Sequence, residues 1–503
     1  MTLTLRPRRD EVGLKDGQLL IDGKWRPAAS GETWTHKHPA TGEDIGDFPV
    51  ATESDVDEAV KAARRAFDEG DWPRSRATTR IRALRRYADL LREHADELRS
   101  IQALDNGVPL SFAPVYATSV DAAADVFDHH AGWIDKVGGQ TLTPYQGGDH
   151  LAMTFREPIG VVAAILPWNG PFLLYAQKVA PALAAGCTVV LKPSEYATFS
   201  VLRMVELLAE AGIPDGVVNV VTGPGNTTGE ALITHPLIDK ISFTGSRGVG
   251  KHIVRSSADT LKRVSLELGG KSPTIIFPDA PDIGIAAMTT MGTVTMGLSG
   301  QACVAHTRAL VHKDVYDQFL GAAQMMAGAV TYGDPFDAST LSSPLINTKQ
   351  LDHVLGLIQR GKDQGARVVC GGERVQGDLK DGNFVQPTIF AEVDNSMDIA
   401  RQEVFGPVLA VMPFETEDEA VAIANDTEYG LGAGVYTSDV RKAFRLARRL
   451  RAGTVGVNGF QIEPHLPFGG FKQSGLGREG GQSAFEAYTE LKTVMMPLGD
   501  EMM

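Results

Sequence analysis

Cysteine is nearly absent: Cys187, Cys303 and Cys370 are the only three in 503 residues. An odd, sparse set excludes a disulfide framework and points to a reducing cytoplasm. Positive charge is also short. Lys and Arg number 48 against 62 Asp and Glu, a net charge of −14. That excludes a general nucleic-acid-binding surface, which would be basic. Long apolar runs are missing. The longest, 159–168 and 179–191, hold Gly or Pro and fall short of the ~18 residues of a membrane span. The opening MTLTLRPRRDEVGLKDG carries charges but no apolar core, so it is not a secretory signal and reads as a short, loosely held tail. The 12 histidines show no ligand spacing. The pairs His36/His38 and His129/His130 are expected at the surface, and no metal is expected. There is no repeat and no low-complexity tract.

What is present is a globular composition, 43% hydrophobic and 22% charged. The length calls for two or three domains. Residues 19–25 read as a strand, a turn and the start of a second strand. Ser54-Asp55-Val56-Asp57 reads as a helix start, with Val56, Ala59, Val60, Ala63 and Phe67 at helical spacing. A second long helix is expected over 78–104. From Phe155 onward strands and helices alternate. Strands are expected at 159–166, 188–191, 217–221, 240–243 and 263–268, with helices between, which predicts an α/β fold with a parallel sheet covered on both faces. Ligands bind beyond the carboxyl ends of such strands. The segments 167–170, 192–195, 223–225 and 244–250 all fall there and are expected to converge. A second α/β pattern runs to about 457, with helices at 313–326 and 348–361 and strands at 368–369, 408–414 and 433–436. The tail, 483–498, pairs a short helix with a β-prone end suited to pairing with another subunit.

Several stretches carry chemistry, each with a plainer reading beside it. Cys303 follows Gly300-Gln301-Ala302 on tight backbone. It is either a buried structural cysteine or a nucleophile needing a base or a positive field, since thiolate is the reactive form. Residues 244–250 have the form G-x-x-G-x-G at a strand-to-helix turn, either a simple turn or a phosphate site. Gly223-Pro224-Gly225 adds a weaker signal of the same kind. Lys192-Pro193-Ser194-Glu195 puts a cation and a carboxylate at a strand end, a surface pair or a ribose clamp. Asn169, in Pro167-Trp168-Asn169-Gly170-Pro171, is a turn residue or an oxyanion donor. Glu267, between two leucines, faces water or is desolvated into a general base. Glu403-Val404-Phe405-Gly406-Pro407 and Pro467-Phe468-Gly469-Gly470 are plain loops or site loops.

Taken together and in this order, these motifs resemble the NAD(P)-dependent aldehyde dehydrogenase superfamily, from about Leu19 to the tail. The resemblance implies a Rossmann-like NAD-binding domain (1–134 and 156–267), an α/β catalytic domain (268–476) and a small β oligomerisation domain (135–155 and 477–503). It also implies a homodimer or homotetramer. By resemblance, Cys303 attacks the aldehyde. Asn169 and the Cys303 N–H hold the oxyanion. Glu267 activates water to hydrolyse the thioester. Lys178 supports the nucleophile. Lys192 and Glu195 hold the adenosine ribose, Trp168 and Ser246 flank the pyrophosphate, and Gly225 and Gly245 allow close approach. Glu403 binds the nicotinamide ribose, with Phe405 against the ring. Glu195 favours NAD over NADP, and Glu267 favours hydrolysis to a free acid.

By similarity, Gly170, Leu174, Gln177, Ala302, Val304 and Ile462 line the aldehyde tunnel. Many relatives carry aromatic side chains at the first and third of these positions. Gly170 and Gln177 therefore imply a wider entrance, suited to bulky or medium-chain aldehydes. No aromatic cage for an amine cation stands among these positions. Three rival readings remain: a coenzyme-A-acylating dehydrogenase, a catalytically silent structural homologue, and a thiol hydrolase or esterase.

Overall fold

The computed structural model describes residues 3, 5, 9–112, 115, 118–147 and 150–498. Short aliphatic runs make its central strands. Val161–Ile165, Thr188–Lys192 and Lys240–Thr244 are buried at every position, as strands covered on both faces must be. They lie in an eight-stranded sheet ordered Gly475–Leu476, Arg263–Glu267, Lys240–Thr244, Val161–Ile165, Thr188–Lys192, Val218–Val220, Leu19–Ile21, Lys24–Arg26. The five middle strands are parallel, and the strands beyond them at either edge are antiparallel. One face packs under Ala77–Glu93, Val120–Ala131, Pro171–Ala185 and Thr198–Glu210. The alanine-rich helix Glu53–Asp68 and Ile253 of Arg247–Ser257 cover the other.

The chain lays down Val161–Ile165, Thr188–Lys192 and Val218–Val220 in one direction. It then returns to place Lys240–Thr244 and Arg263–Glu267 on the opposite side of Val161–Ile165. Strand order therefore reverses between Val161–Ile165 and Lys240–Thr244, and a crevice opens where their carboxyl ends part.

A seven-stranded sheet follows, ordered Arg367–Cys370, Thr388–Ala391, Val408–Phe414, Arg308–His312, Pro273–Ile276, Gly432–Tyr436, Thr454–Val457. All its pairings are parallel except the first. The third sheet pairs Thr489–Pro497 with His150–Pro158 over nine residues, and Thr141–Leu142 with His150–Pro158. Leu142, Phe155, Leu491, Met495 and Met496 stand exposed on it. Residues 148 and 149 of the expected hairpin lie outside the described residues.

Several expectations need correction. The single helix over 78–104 is two helices, Ala77–Glu93 and Ala95–Asn106. The backbone breaks at His94 (φ −102°, ψ 15°), whose ring sits 2.9 Å from the Glu97 carboxylate. The break lets the first half pack on Val120–Ala131 and the second on Thr198–Glu210. The first helix starts earlier than Ser54. Thr52 caps it by accepting from the Asp55 N–H (3.2 Å), while Asp55 accepts from the Thr52 N–H (2.9 Å).

His36, His38 and His130 are buried, not at the surface. His36 Nε2 lies 2.6 Å from the Asp105 carbonyl oxygen, and His38 Nδ1 accepts the Ala40 N–H at 3.2 Å. Burial holds His38 and His130 near a pKa of about 3, uncharged. The N-terminal segment is tied down where it is described. Leu5 packs with Ile45, Phe48, Ile101, Leu104 and Phe199, and Arg9–Val12 forms a helical turn. A two-stranded ribbon, Thr33–Lys37 with Asp44–Pro49, was not foreseen.

Candidate active site

The crevice at the strand reversal is a cleft of about 540 Å³. From the first sheet come Pro167, Trp168 and Asn169 after one strand, and Thr244, Gly245 and Ser246 after the other. Glu195, Glu267, Leu268 and Gly269 complete that side. From the second half come Cys303, Glu403 and Phe405, with Ile346, Asn347, Lys349, Gln350 and His353 around the start of the helix Thr348–Asp363.

Cys303 rides on a strained turn. Ser299 and Gly300 both have positive φ, 49° and 72°. A Cβ on Gly300 would stand 2.1 Å from the Gly406 carbonyl oxygen. Gln301 clamps the turn from its side chain. Its Nε2 donates to the carbonyls of Leu298 and Pro344, both at 3.0 Å, and its Oε1 accepts the Ile346 N–H at 2.9 Å. Asn169 Nδ2 donates to the Gln301 carbonyl at 2.8 Å, which brings the amide to the cysteine loop. An amide nitrogen carries two protons, so a second donation is available.

The electrostatics around Cys303 are unfavourable to thiolate. Burial, then the charges of Glu403 and Glu267, push the thiol up to about 12. Glu267 ends the strand Arg263–Glu267 and is only 3% exposed. Burial first, and the Glu479 charge second, hold its carboxyl well above the usual range. Its Oε2 has no hydrogen-bond partner among the described residues. Space for this carboxyl comes from Gly469, where a Cβ would fall 2.7 Å from Glu267 Oε1.

Lys178 does not line the cleft. Its fully buried Nζ bonds Glu479 Oε1. Glu479 escaped sequence reasoning, because nothing in Arg478-Glu479-Gly480 marks a buried acid. It links Lys178 electrostatically to Glu267.

Trp168 and Phe405 meet edge to face, ring centroids 5.6 Å apart. Phe405 adopts φ 51°, and Asn106 Nδ2 fixes the Trp168 carbonyl at 2.9 Å. Glu403 Oε1 accepts the Gly270 N–H at 3.0 Å, and burial pushes its carboxyl up to about 7. A Cβ on Gly269 would lie 2.0 Å from Glu403 Oε2, so any larger residue there would displace this carboxyl.

Lys192 lies buried behind Glu195. Its Nζ donates to the Pro193 carbonyl at 2.9 Å and stands 3.9 Å from Glu195 Oε2. A Cβ on Gly229, in the turn that Gly225 opens, would meet the Lys192 side chain at 3.6 Å. Neither Lys192 nor Gly225 lines the cleft itself. Ser246 caps the eleven-residue helix Arg247–Ser257, accepting the Val249 N–H at 3.4 Å.

The six residues expected to line an aldehyde tunnel are not among those lining this cleft. Gly170, Leu174 and Gln177 lie on or at the head of the helix Pro171–Ala185, which leads away from Asn169. Ala302 and Val304 flank Cys303, and Ile462 stands in the loop after Thr454–Val457.

The donor set suits a dinucleotide. Two carboxylates, Glu195 and Glu403, are placed to accept from hydroxyl groups, and a helix N-terminus opens at Ser246 for phosphate. Thr244 Oγ1, which faces the cleft, has no partner among the described residues. Tyr196, Asn347, Lys349, Gln350 and His353 went unforeseen in the sequence. Asn347 at least has a signal: it is the N-cap of Thr348–Asp363.

Comparison with known proteins is consistent in direction. The profile of the Aldehyde dehydrogenase family matches residues 25–494. An aldehyde dehydrogenase of Enchytraeus buchholzi is 44% identical over 480 residues, covering 95% of each chain. Among solved structures, the NAD+ complex of an aldehyde dehydrogenase from Bacillus cereus superimposes with a TM-score of 0.94. It shares 40% identity and covers 99% of this chain and 100% of that one. A mutant of the P. syringae AldA indole-3-acetaldehyde dehydrogenase, in complex with NAD+ and IAA, gives a TM-score of 0.93 at 40% identity. It covers 98% of this chain and 100% of that one.

Proposed function

The chain belongs to the aldehyde dehydrogenase family, and from that premise we propose that it oxidises an aldehyde to the free carboxylic acid through Cys303 and Glu267, with NAD as electron acceptor. The observation that carries the reading is the pairing of one half-buried thiol with one buried carboxyl, whose Oε2 has no hydrogen-bond partner among the described residues, on the same cleft.

The residues act in sequence. Cys303 Sγ adds to the aldehyde carbon as its proton passes to a base, and Glu267, with its raised affinity for protons, is the base in place. The second N–H of Asn169 and the Cys303 backbone N–H donate to the oxygen that becomes anionic. Bound NAD supplies the hydride acceptor that makes the oxidation possible. Once Glu267 has passed the thiol proton on to solvent, it takes a proton from water as that water adds to the thioester carbonyl, and Cys303 leaves as thiolate. Burial is the main cause of the raised proton affinity of Glu267; Glu479 raises it further and Lys178 lowers it, so this buried pair adjusts the strength of the base.

Lys192, Glu195, Ser246, Gly245, Gly225, Trp168, Glu403 and Phe405 would hold the cofactor. Glu195 repels a 2′-phosphate, which favours NAD over NADP. Gly170, Leu174, Gln177, Ala302, Val304 and Ile462 form the substrate path, open enough for bulky or medium-chain aldehydes. The proposed division is 1–134 with 156–267, 268–476, and 135–155 with 477–503; the three main sheets support it in outline, while the strand His150–Pro158 runs across the 155/156 boundary and Gly475–Leu476 pairs with the first sheet. The exposed apolar strands of the third sheet support a dimer or tetramer. The three-cysteine composition supports a cytoplasmic setting.

The test is NADH formation at 340 nm over a panel of aldehydes, with product analysis with and without coenzyme A. Free acid formed without coenzyme A supports the reading. An absolute requirement for coenzyme A overturns the hydrolytic step, and kcat/KM that peaks at acetaldehyde and falls with size overturns the open entrance.

A further inference from the structure

The helix Ala95–Asn106 ends on a residue that reaches the site without lining the cleft. Asn106 is 4% exposed. Its Nδ2 donates to the Trp168 carbonyl at 2.9 Å, and its Oδ1 accepts the Val108 N–H at 3.3 Å. One partner needs a donor and the other an acceptor, so a single setting of the carboxamide meets both. The Trp168 carbonyl belongs to the peptide plane that carries the Asn169 nitrogen. Holding that oxygen therefore sets the backbone from which the Asn169 side chain projects.

The same turn is tied to the loop that Asn169 addresses. Gly107 ends the helix at φ 75°, and a Cβ there would stand 2.8 Å from Pro344 Cδ. The Pro344 carbonyl accepts Gln301 Nε2 at 3.0 Å, and the Gln301 carbonyl accepts Asn169 Nδ2 at 2.8 Å. The contacts close a ring: Asn106 to Trp168, Asn169 to Gln301, Gln301 to Pro344, and Pro344 back to Gly107. The ring is anchored from behind. Asp105 Oδ2 accepts both the N–H and the hydroxyl of Ser200 at 2.8 Å, in the first turn of Thr198–Glu210. The Asp105 carbonyl lies 2.6 Å from His36 Nε2. Asp105, Ser200 and His36 are all buried.

We propose that Asn106 is a positioning residue for aldehyde oxidation: its amide holds the Trp168 carbonyl, which aims the free N–H of Asn169 at the substrate's carbonyl oxygen. The proposal rests on the reading of Asn169 as an oxyanion donor. Such a donor works over a narrow range, roughly 2.7–3.1 Å from the position the charged oxygen takes. A displacement of about 1 Å costs on the order of 100-fold in rate. Without Asn106, the Asn169 amide keeps its bond to Gln301 but loses the fixed backbone behind it.

The experiment is a double-mutant cycle on the full-length protein with saturating NAD, read in stopped flow as the rate of the first NADH formed. The aldehyde is the one that the native protein turns over fastest in a panel. The variants are Asn106→Ala, Asn106→Asp, Asn169→Ala and the two doubles, each assayed well below its own melting temperature. Asn106→Asp keeps the size and the acceptor for Val108 and loses the donor to Trp168, so it serves if the alanine variant folds poorly. Each Asn106 variant is expected to slow the first turnover about tenfold or more, with the half-saturating aldehyde concentration changed less than about threefold. In the Asn169→Ala background the same changes cost less than about twofold, because the donor they aim is already gone. An equal cost in both backgrounds marks a merely structural residue and overturns the proposal. So do Asn106 variants as fast as the native protein, an effect confined to half-saturation, or variants that cannot fold at all. If no aldehyde is oxidised, or Asn169→Ala is itself as fast as the native protein, the Asn169 reading fails and the proposal with it. That outcome is distinct from a slow Asn169→Ala beside fast Asn106 variants.

Discussion

Replacing Lys178 with Met should destabilise the protein in a way that grows with pH. Lys178 Nζ is fully buried against Glu479, whose other oxygen has no partner among the described residues. Breaking a buried ion pair from one side costs about 3–5 kcal/mol, since the remaining charge is left in a poorly polarisable interior. For a cooperative unit of 150–250 residues that is a fall in Tm on the order of 10 °C. The sign of the pH dependence follows from Glu267, whose folded carboxyl lies well above its ordinary value of 4.5. The native state keeps that proton where the unfolded chain has released it. Stability contributed by this group is therefore present below 4.5 and lost as pH rises toward the folded value. Lys178 favours the ionised form, so its removal raises the folded value further and adds a penalty that accumulates upward in pH. Thermal unfolding of Lys178→Met beside the native protein at pH 5.5 and 8.5 should show the wider gap at pH 8.5. The double variant Lys178→Met/Glu479→Leu should recover much of the loss at pH 8.5, because no charge is stranded. A gap that widens toward acid, or a double variant as poor as the sum of its singles, would refute the reasoning.

Gly300→Ala should be more harmful than a surface glycine change. The positive φ and the 2.1 Å approach to the Gly406 carbonyl cost about 2–3 kcal/mol or more, and displacement of the cysteine loop lowers kcat on the order of 100-fold, read by melting and steady-state rates together. Asn169→Ala should lower kcat about 10²–10³-fold with a smaller change in KM, as loss of an oxyanion donor does; a change confined to KM would assign the amide to ground-state binding. In the native protein kcat/KM should climb with pH across the neutral range, because Cys303 is pushed up to about 12 and Glu267 is also raised, so the reactive deprotonated forms are gained as pH rises. A profile that falls over that range would contradict this.

Much of the fold was legible because its central strands are short aliphatic runs punctuated by Gly and Pro. Val408–Phe414 was bounded correctly, and Thr188–Lys192 and Lys240–Thr244 within a residue. The break at His94 was not legible, since residues on both sides keep helical periodicity and tertiary packing decides the change of direction. Pro273–Ile276, Arg308–His312 and Thr454–Val457 were missed, being four- or five-residue strands that begin on Pro, Arg and Thr. At the site, Trp168, Asn169, Glu195, Gly245, Ser246, Glu267, Cys303, Glu403 and Phe405 converge on one cleft. Their loops follow strand ends, and strand ends are readable. Glu479 and the Gln301 clamp were not readable, because a buried acid and a buried amide look like any others until their partners are placed.

The most direct test of the Cys303–Glu267 assignment is acid-quenched mass spectrometry of Glu267→Gln mixed with NAD and a reactive aldehyde, while NADH is followed at 340 nm. The account predicts a burst of about one NADH per chain, slow turnover afterwards, and an acyl group on the peptide containing Cys303. Undiminished turnover with no adduct, or an adduct on Cys187 or Cys370 instead, would contradict it.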